Sequence, residues 1–296
     1  MAKKNSAYWK KRTEEILSKA DKSDMDFFYE IQDLFTQTSK EVADAIFSFY
    51  EKYGNNNGLT YENAMQKLNE EELSDYVANA KKYREQAKKA KDPKLLKRLN
   101  EQYASAQIRR LEALKYEVEA ISYSMGSTLD KSLEAHLVDV ATSVYLTLSV
   151  ESQVNLREIK TIVESTWLGS NYSKRVWGDT DKLVSKLVEE LKAGFIRNET
   201  AIDLARRLRQ AFNVTRSQAE TLARTETTHI ITKTTVDRYK EFGYEEYEYL
   251  SQIDSRTSKV CRNLNGEKFK LDDYESGVNA PPMHPNCRST IMPIVK

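Results

Sequence analysis

The chain has 296 residues, with 46 Lys and Arg against 45 Asp and Glu, nine Gly, five Pro and two Cys. Gly and Pro, at about 3% and 2%, lie well below the usual ~7% and ~5%. Tight turns are therefore few, which argues against a sandwich or barrel of many short strands and for long helices. A net charge of +1 excludes a uniformly basic nucleic-acid binder, and two cysteines exclude a disulfide scaffold. The length suits about two domains.

Met1-Ala2-Lys3-Lys4-Asn5 leads into charged residues with no apolar segment, so a secretory signal is not expected. The weakly polar stretch 137–150 contains Asp139 and falls short of the ~20 apolar residues that span a bilayer. A soluble protein made in a reducing compartment is the expectation.

Over residues 8–53 apolar side chains recur at helical spacing, as in Phe27, Ile31, Leu34 and Phe35, then Val42, Ile46 and Tyr50. The run Gly54-Asn55-Asn56-Asn57-Gly58 ends that helix, because Gly and Asn tolerate positive φ. Residues 41–76 hold eight acids and two bases, net −6, whereas 81–98 hold nine bases and two acids, net +7. Such blocks read either as solvated helix faces or as a docking surface for a partner or DNA, since clustered Lys and Arg release phosphate counterions on binding.

Asp92-Pro93 has the form of an N-cap with proline at the first helical position, separating the polar run 70–91 from the helix that follows. Leu111, Leu114, Val118, Ile121 and Met125, continued by Leu133, Leu137, Val140 and Val144, form the stripe an ordinary helix bundle needs. His136 lies beside it and reads as packed or solvated. The stretch 167–180 interrupts the helices; Asp179 or Thr180 then caps one ending at Gly194. A short helix over 200–212 and a third starting at the capping box Thr215-Arg216-Ser217-Gln218 follow.

On that third helix Glu226 shares a face with Ala219, Leu222 and Ile230, where a carboxylate needs a partner. Arg224, an arginine of a neighbouring helix, or Arg256 or Arg288 of the C-terminal segment are the candidates, in a structural rather than catalytic role.

Beyond Gly243 the pattern turns to strand formers, with Asn265-Gly266 as a hairpin signal and a last strand over 288–295 that Pro293 confines to an edge. Cys261, at the end of that hairpin, is separated from His284 by 22 residues, and two residues separate His284 from Cys287. Thiolate and imidazole at that spacing suit zinc, with Asp254 as an oxygen ligand and His229 as a remoter one. The same residues are compatible with two buried thiols beside a rigid histidine turn, or with a disulfide.

The fold expected is mainly α: an elongated helical N-terminal region (1–160) and a helical middle domain, then a small C-terminal β subdomain (244–296).

Tyr172-Ser173-Lys174-Arg175-Val176-Trp177, Ala223-Arg224-Thr225-Glu226, Asp254-Ser255-Arg256-Thr257 and Cys261-Arg262-Asn263-Leu264-Asn265-Gly266 occur in that order. They lead to Pro281-Pro282-Met283-His284-Pro285-Asn286-Cys287-Arg288. Over about 165–294 the chain resembles the phage head morphogenesis, or minor head, proteins similar to phage Mu protein F, with residues 161–296 as the corresponding domain. The resemblance implies a low-copy capsid component of a tailed phage or prophage, associated with the portal, other capsid proteins and DNA packaging or delivery. It implies residence in the virion, with the host cytoplasm as the place of assembly, and no membrane. It supplies no catalytic residue. Some relatives carry a further Cys near the place of Ser258. The alternatives are a metal-dependent nuclease or hydrolase, with water activated at an open metal position, and a DNA-binding module acting through residues 81–98.

Overall fold

The computed structural model describes residues 5–54, 59–106, 109–149 and 154–295. Residues 55–58 of the expected break, residues 1–4 at the start and Val150 lie outside the described residues. Nine helices are described: α1 (Ser6–Tyr53), α2 (Tyr61–Ala64), α3 (Glu70–Lys89), α4 (Pro93–Ser105), α5 (Arg110–Leu148), α6 (Leu156–Val163), α7 (Tyr172–Ile196), α8 (Ala201–Glu241) and α9 (Lys259–Leu264). Three strands, β1 (Glu246–Leu250), β2 (Lys268–Lys270) and β3 (Thr290–Pro293), complete a mainly α chain with a small C-terminal sheet. No described helix is long and apolar enough to cross a membrane.

Local chemistry accounts for the boundaries. Asn69 and Glu72 form a reciprocal capping box at α3, and Asp92 caps α4 by accepting from the Leu95 amide with Pro93 in the first turn. Two expected boundaries differ. Helix α7 starts eight residues before Thr180, with Asn171 Oδ1 accepting from the Lys174 amide; Thr180 sits inside it and donates to the Val176 carbonyl at 2.8 Å. Helix α8 runs unbroken through 213–217, where Thr215 donates to the Ala211 carbonyl at 3.0 Å instead of capping a new helix. A hydroxyl can serve either purpose, and without Gly or Pro nearby the helix continues.

The chain folds into two compact units, each assembled from segments distant in sequence: Met1–Glu30, Ser132–Arg175 and Ala219–Lys296 in the first, Ile31–Lys131 and Val176–Gln218 in the second. Their boundaries fall inside α1, α5, α7 and α8.

In the second unit Ala80, Ala87, Leu95, Leu99, Tyr116, Ala120, Tyr123, Trp177 and Val184 pack together. The alanines let α3 approach closely, and the aromatics fill the space opposite. Two bases of the 81–98 run belong to this packing: Arg84 lies over the Tyr103 ring at 4.1 Å, and Arg98 lies over Trp177 at 4.1 Å. Arg98 also meets both Asp181 oxygens, at 2.8 and 2.7 Å. The seven lysines of the run are exposed.

In the first unit the sheet has the order β2-β1-β3, all antiparallel, with Tyr247 opposite Phe269 on one side and Pro293 on the other. Tyr247 and Tyr249 point inward and their neighbours are half-buried, the alternation a one-sided sheet needs. Pro293 is on an edge strand, as its missing N–H requires. The expected hairpin is replaced by a longer connection. The Ser258 hydroxyl caps α9, so Cys261 is helical, and Asn265-Gly266, with Gly266 at φ +87°, turns from α9 into β2.

Helix α5 passes through Gly126 without a break, at a close approach to α7. A methyl group there would stand 2.6 Å from Thr180 Cγ2 and 2.7 Å from its Oγ1, and Thr180 is a stiff, buried side chain. In an open helix Gly→Ala stabilises by about 0.5–1 kcal/mol. Here Gly126→Ala is expected to destabilise by about 1–3 kcal/mol through overpacking. In thermal or urea unfolding, the double variant with Thr180→Ala should be more stable than the sum of the single changes allows.

Candidate functional site

Cys261, His284 and Cys287 come together in the first unit, each offering one ligand atom, all within 4.8 Å of one another. The Sγ atoms of Cys261 and Cys287 are 3.7 Å apart and unbonded, and Cys261 Sγ is 3.3 Å from His284 Nε2. With Zn–S near 2.3 Å and Zn–N near 2.0–2.1 Å, a tetrahedral ion has S···S and S···N edges of about 3.8 and 3.5 Å. Two of the three edges, 3.7 and 3.3 Å, are already near those values, and the third lies within 4.8 Å.

The local sequence explains why. Ser258 starts the turn that lifts Cys261, and Tyr249 of the central strand donates its hydroxyl to Cys261 Sγ at 3.3 Å. His284 Nδ1 is 2.8 Å from the Pro285 carbonyl. A carbonyl only accepts, so the proton sits on Nδ1 and the Nε2 lone pair faces the sulfurs, the tautomer a metal ligand needs. Asn286 at φ +58° closes the His284–Cys287 turn, in which the Cys287 amide donates to the His284 carbonyl at 3.2 Å. Helix α8 anchors this loop: Thr228 donates to the Cys287 carbonyl at 2.7 Å, and the Asn286 amide donates to Thr225 Oγ1 at 3.1 Å. Burial pushes the Cys261 thiol up, but hydrogen bonds from Ser258, Ser289, Tyr249 and Cys287 outweigh it and bring it down to about 7. Burial pushes the Cys287 thiol up.

Asp254 and His229, the two further ligands suggested by sequence, lie outside this group. Asp254 Oδ1 accepts from Arg288 Nη2 at 2.8 Å and from the Arg256 amide at 2.8 Å, and Oδ2 lies 3.7 Å from Arg256 Nη2. The Arg288 hydrogen bond holds its carboxyl below the ordinary range. Arg256 and Arg288 thus pair with Asp254, and neither reaches Glu226.

Glu226 is buried as expected, and its cation comes from a neighbouring helix. Arg175 Nη1 donates to Glu226 Oε1, the Trp167 indole donates to Oε2 at 3.0 Å, and Arg175 Nη2 donates to the Trp167 carbonyl at 2.6 Å. The guanidinium also lies 4.5 Å over the Trp167 ring. Burial pushes the Glu226 carboxyl up, and Arg175 pulls it partly back. Arg175 is 51 residues away, so the helix pattern around Glu226 could not identify it; its place beside an aromatic-rich turn was the available signal. His229, one turn on, stacks on Trp167 at 5.1 Å, with Nδ1 at 3.0 Å from Ser276 Oγ and Nε2 at 3.3 Å from Ser165 Oγ. Burial first, then Arg175 and Lys233, pushes its pKa down to about 3.

Arg224 points elsewhere, to Asp21 at 3.3 Å and to Asp24 at 3.5 Å. Asp24 is buried and accepts from Thr227 at 2.7 Å and from His136 Nε2 at 3.0 Å. His136, stacked on Phe27, is thus packed rather than solvated, one of the two states its position beside the apolar stripe allowed.

These features coincide with a known family. Residues 185–292 match the family model described as phage Mu protein F like protein. The match supports the resemblance to phage head proteins drawn from the ordered motifs, apart from 172–177, which precede the matched range. The chain is also similar to the NAD(+)--arginine ADP-ribosyltransferase EFV of Enterococcus faecalis, 23% identical over 214 residues that make up 64% of this chain and 44% of the relative. The chain therefore spans less than half of that relative's length. No solved structure matches.

The neutral state of buried His229 has a pH signature. Its folded pKa is depressed from the usual ~6.5 to about 3, so between these values the unfolded chain binds a proton that the folded chain does not. Stability from this group is complete above about pH 6.5 and falls as pH drops, by at most about 1.4 kcal/mol per pH unit. His229→Gln, which keeps a hydrogen-bonding group for Ser276 or Ser165, should flatten the wild-type slope of unfolding free energy between pH 6.5 and 4. Equal slopes would show that His229 takes up a proton in the folded protein.

Proposed function

We propose that this chain is a minor structural component of a tailed-phage or prophage head, acting in procapsid morphogenesis beside the portal and in DNA packaging or delivery. The observation that carries the reading is the phage Mu protein F-like match over residues 185–292. Its partners are the portal and other capsid proteins, its place is the capsid interior or portal vicinity, and assembly occurs in the host cytoplasm. We take residues 161–296 as the head morphogenesis domain. The exposed lysines of the 81–98 run are the surface suited to DNA phosphates.

The role is structural, and we read the Cys261, His284 and Cys287 cluster as a zinc site that fixes the β subdomain onto α8. The fit of its atomic spacings to a zinc tetrahedron supports that reading. Two buried thiols and an imidazole are few ligands, but in a subdomain with three short strands an ion adds folding free energy directly.

A second reading is carried by the Enterococcus faecalis relative, whose name denotes transfer of ADP-ribose from NAD+ to arginine. Since more than half of that relative lies outside the alignment, its activity is the weaker proposal for this chain.

Co-expression with a tailed-phage portal protein of the same genome is expected to yield a stable complex, and heads assembled without the chain should package or deliver DNA poorly. Normal particle yield and infectivity without it would overturn the head reading. Purified protein should carry about one zinc per chain, lost in Cys287→Ser with a lower melting temperature. Incubation with NAD+ and agmatine should release no nicotinamide above buffer; release would favour the second reading.

A further inference from the structure

We propose that a metal ion held by Cys261, His284 and Cys287 keeps its fourth coordination position open to a water-sized ligand from solution, in a small cavity edged by Arg256 and Arg288. The inference rests on the metal reading above and deepens it: the site would bind small inorganic anions in place of water.

Three protein atoms define one face of a tetrahedron, and the question is what stands at the fourth apex. Among the described residues no fourth Cys, His, Asp or Glu joins the group. Several nearby oxygens are engaged in other ways. Both Asp254 oxygens face arginines or an arginine amide. Ser258 Oγ accepts from the Cys261 amide at 3.2 Å as the cap of α9, and the Tyr249 hydroxyl donates to Cys261 Sγ. A structural zinc site is ordinarily closed by four protein ligands, whereas three protein ligands leave a place for solvent.

Space for that ligand exists. A cavity of about 20 Å³ is lined by Cys261, His284, Ser258, Ser289, Arg256 and Arg288. A void needs about 10–15 Å³ for one water, so this one holds a single water and nothing larger without opening outward. Arg256, one of its lining residues, is three-quarters exposed.

Charge sets the ligand class. A divalent ion with two thiolates is neutral, and two guanidiniums against the single Asp254 carboxylate leave one net positive charge at the rim. A small monovalent anion therefore gains over neutral water, and the gain is largest in a cavity that admits little solvent. Arg288 is mostly buried and fixed by Asp254, so it is the better placed of the two cations.

The full-length protein, reduced and stripped of metal, would be titrated with Co²⁺ and then with azide, whose terminal nitrogen is water-sized. Expected are saturation at one Co²⁺ per chain, a thiolate-to-cobalt band in the near ultraviolet, and visible d–d bands that shift when azide is added. Asp254→Asn should leave the azide-free cobalt spectrum unchanged, because Asp254 is not a ligand. Arg288→Gln should raise several-fold the azide concentration that gives half the shift while still binding Co²⁺. A spectrum indifferent to azide, or one altered by Asp254→Asn alone, would mean that the site is closed; the open position is then wrong although the metal reading stands. An unchanged azide response in Arg288→Gln would remove the guanidinium from the anion site. Failure to bind Co²⁺ at all would overturn both the metal reading and this inference.

Discussion

Helix α8 buries Thr225, Glu226, Thr227, Thr228 and His229 in succession, and the first unit is organised by the need to satisfy them. A buried polar group without a partner costs about 1–3 kcal/mol, and a buried charge costs more. Each segment packed on this stretch consequently brings a polar group to it. Helix α1 brings Asp24, α5 brings His136, the turn before α7 brings Ser165 and Trp167, and α7 itself brings Arg175. The C-terminal segment brings Ser276, the Asn286 amide and the Cys287 carbonyl. Apolar packing would tolerate a slide or rotation of α8, whereas this set of pairings fits one register. Specificity here comes from polar matching more than from added stability, since buried ion pairs often do little better than apolar replacements.

The same constraint explains which features the sequence made legible. Glu226 on an apolar face announced a buried ion pair, because helical periodicity is a local property. Its partner was not legible, since Arg175 lies on another helix and only the tertiary fold brings it near. Asp92-Pro93 and Pro293 were read correctly because proline acts through its own ring and missing N–H, independent of context. Thr180 and Thr215 sit inside helices instead of capping them, because a threonine hydroxyl bonds equally well to an amide at a helix start or to a carbonyl one turn back. Nothing local distinguishes the two. The Cys261, His284 and Cys287 spacing indicated proximity, and the structure brings these three together; their supporting groups, Tyr249 and the Pro285 carbonyl, required coordinates.

The chain's shortage of glycine and proline has a spatial counterpart. Pro281, Pro282 and Pro285, three of the five prolines, surround His284. Where most of the chain is ordered by helical hydrogen bonds, this loop has little regular structure, and fixed φ angles take over part of that task by limiting the freedom of the unfolded segment. A rigid loop presenting an imidazole in one tautomer is a suitable frame for a site whose atoms must stay within a few tenths of an ångström of their places.

Two hydrogen bonds, one from the Asn286 amide to Thr225 and one from Thr228 to the Cys287 carbonyl, connect that loop to the middle of α8. Any ligand that favours this arrangement of the loop therefore also favours the ordered helix, to the extent that the two are coupled through these bonds. Occupancy at the thiol and imidazole cluster would thus be registered in the slow amide exchange of a helix that contributes none of the coordinating atoms, and the ligand state would be carried in backbone opening rather than in a visible change of shape.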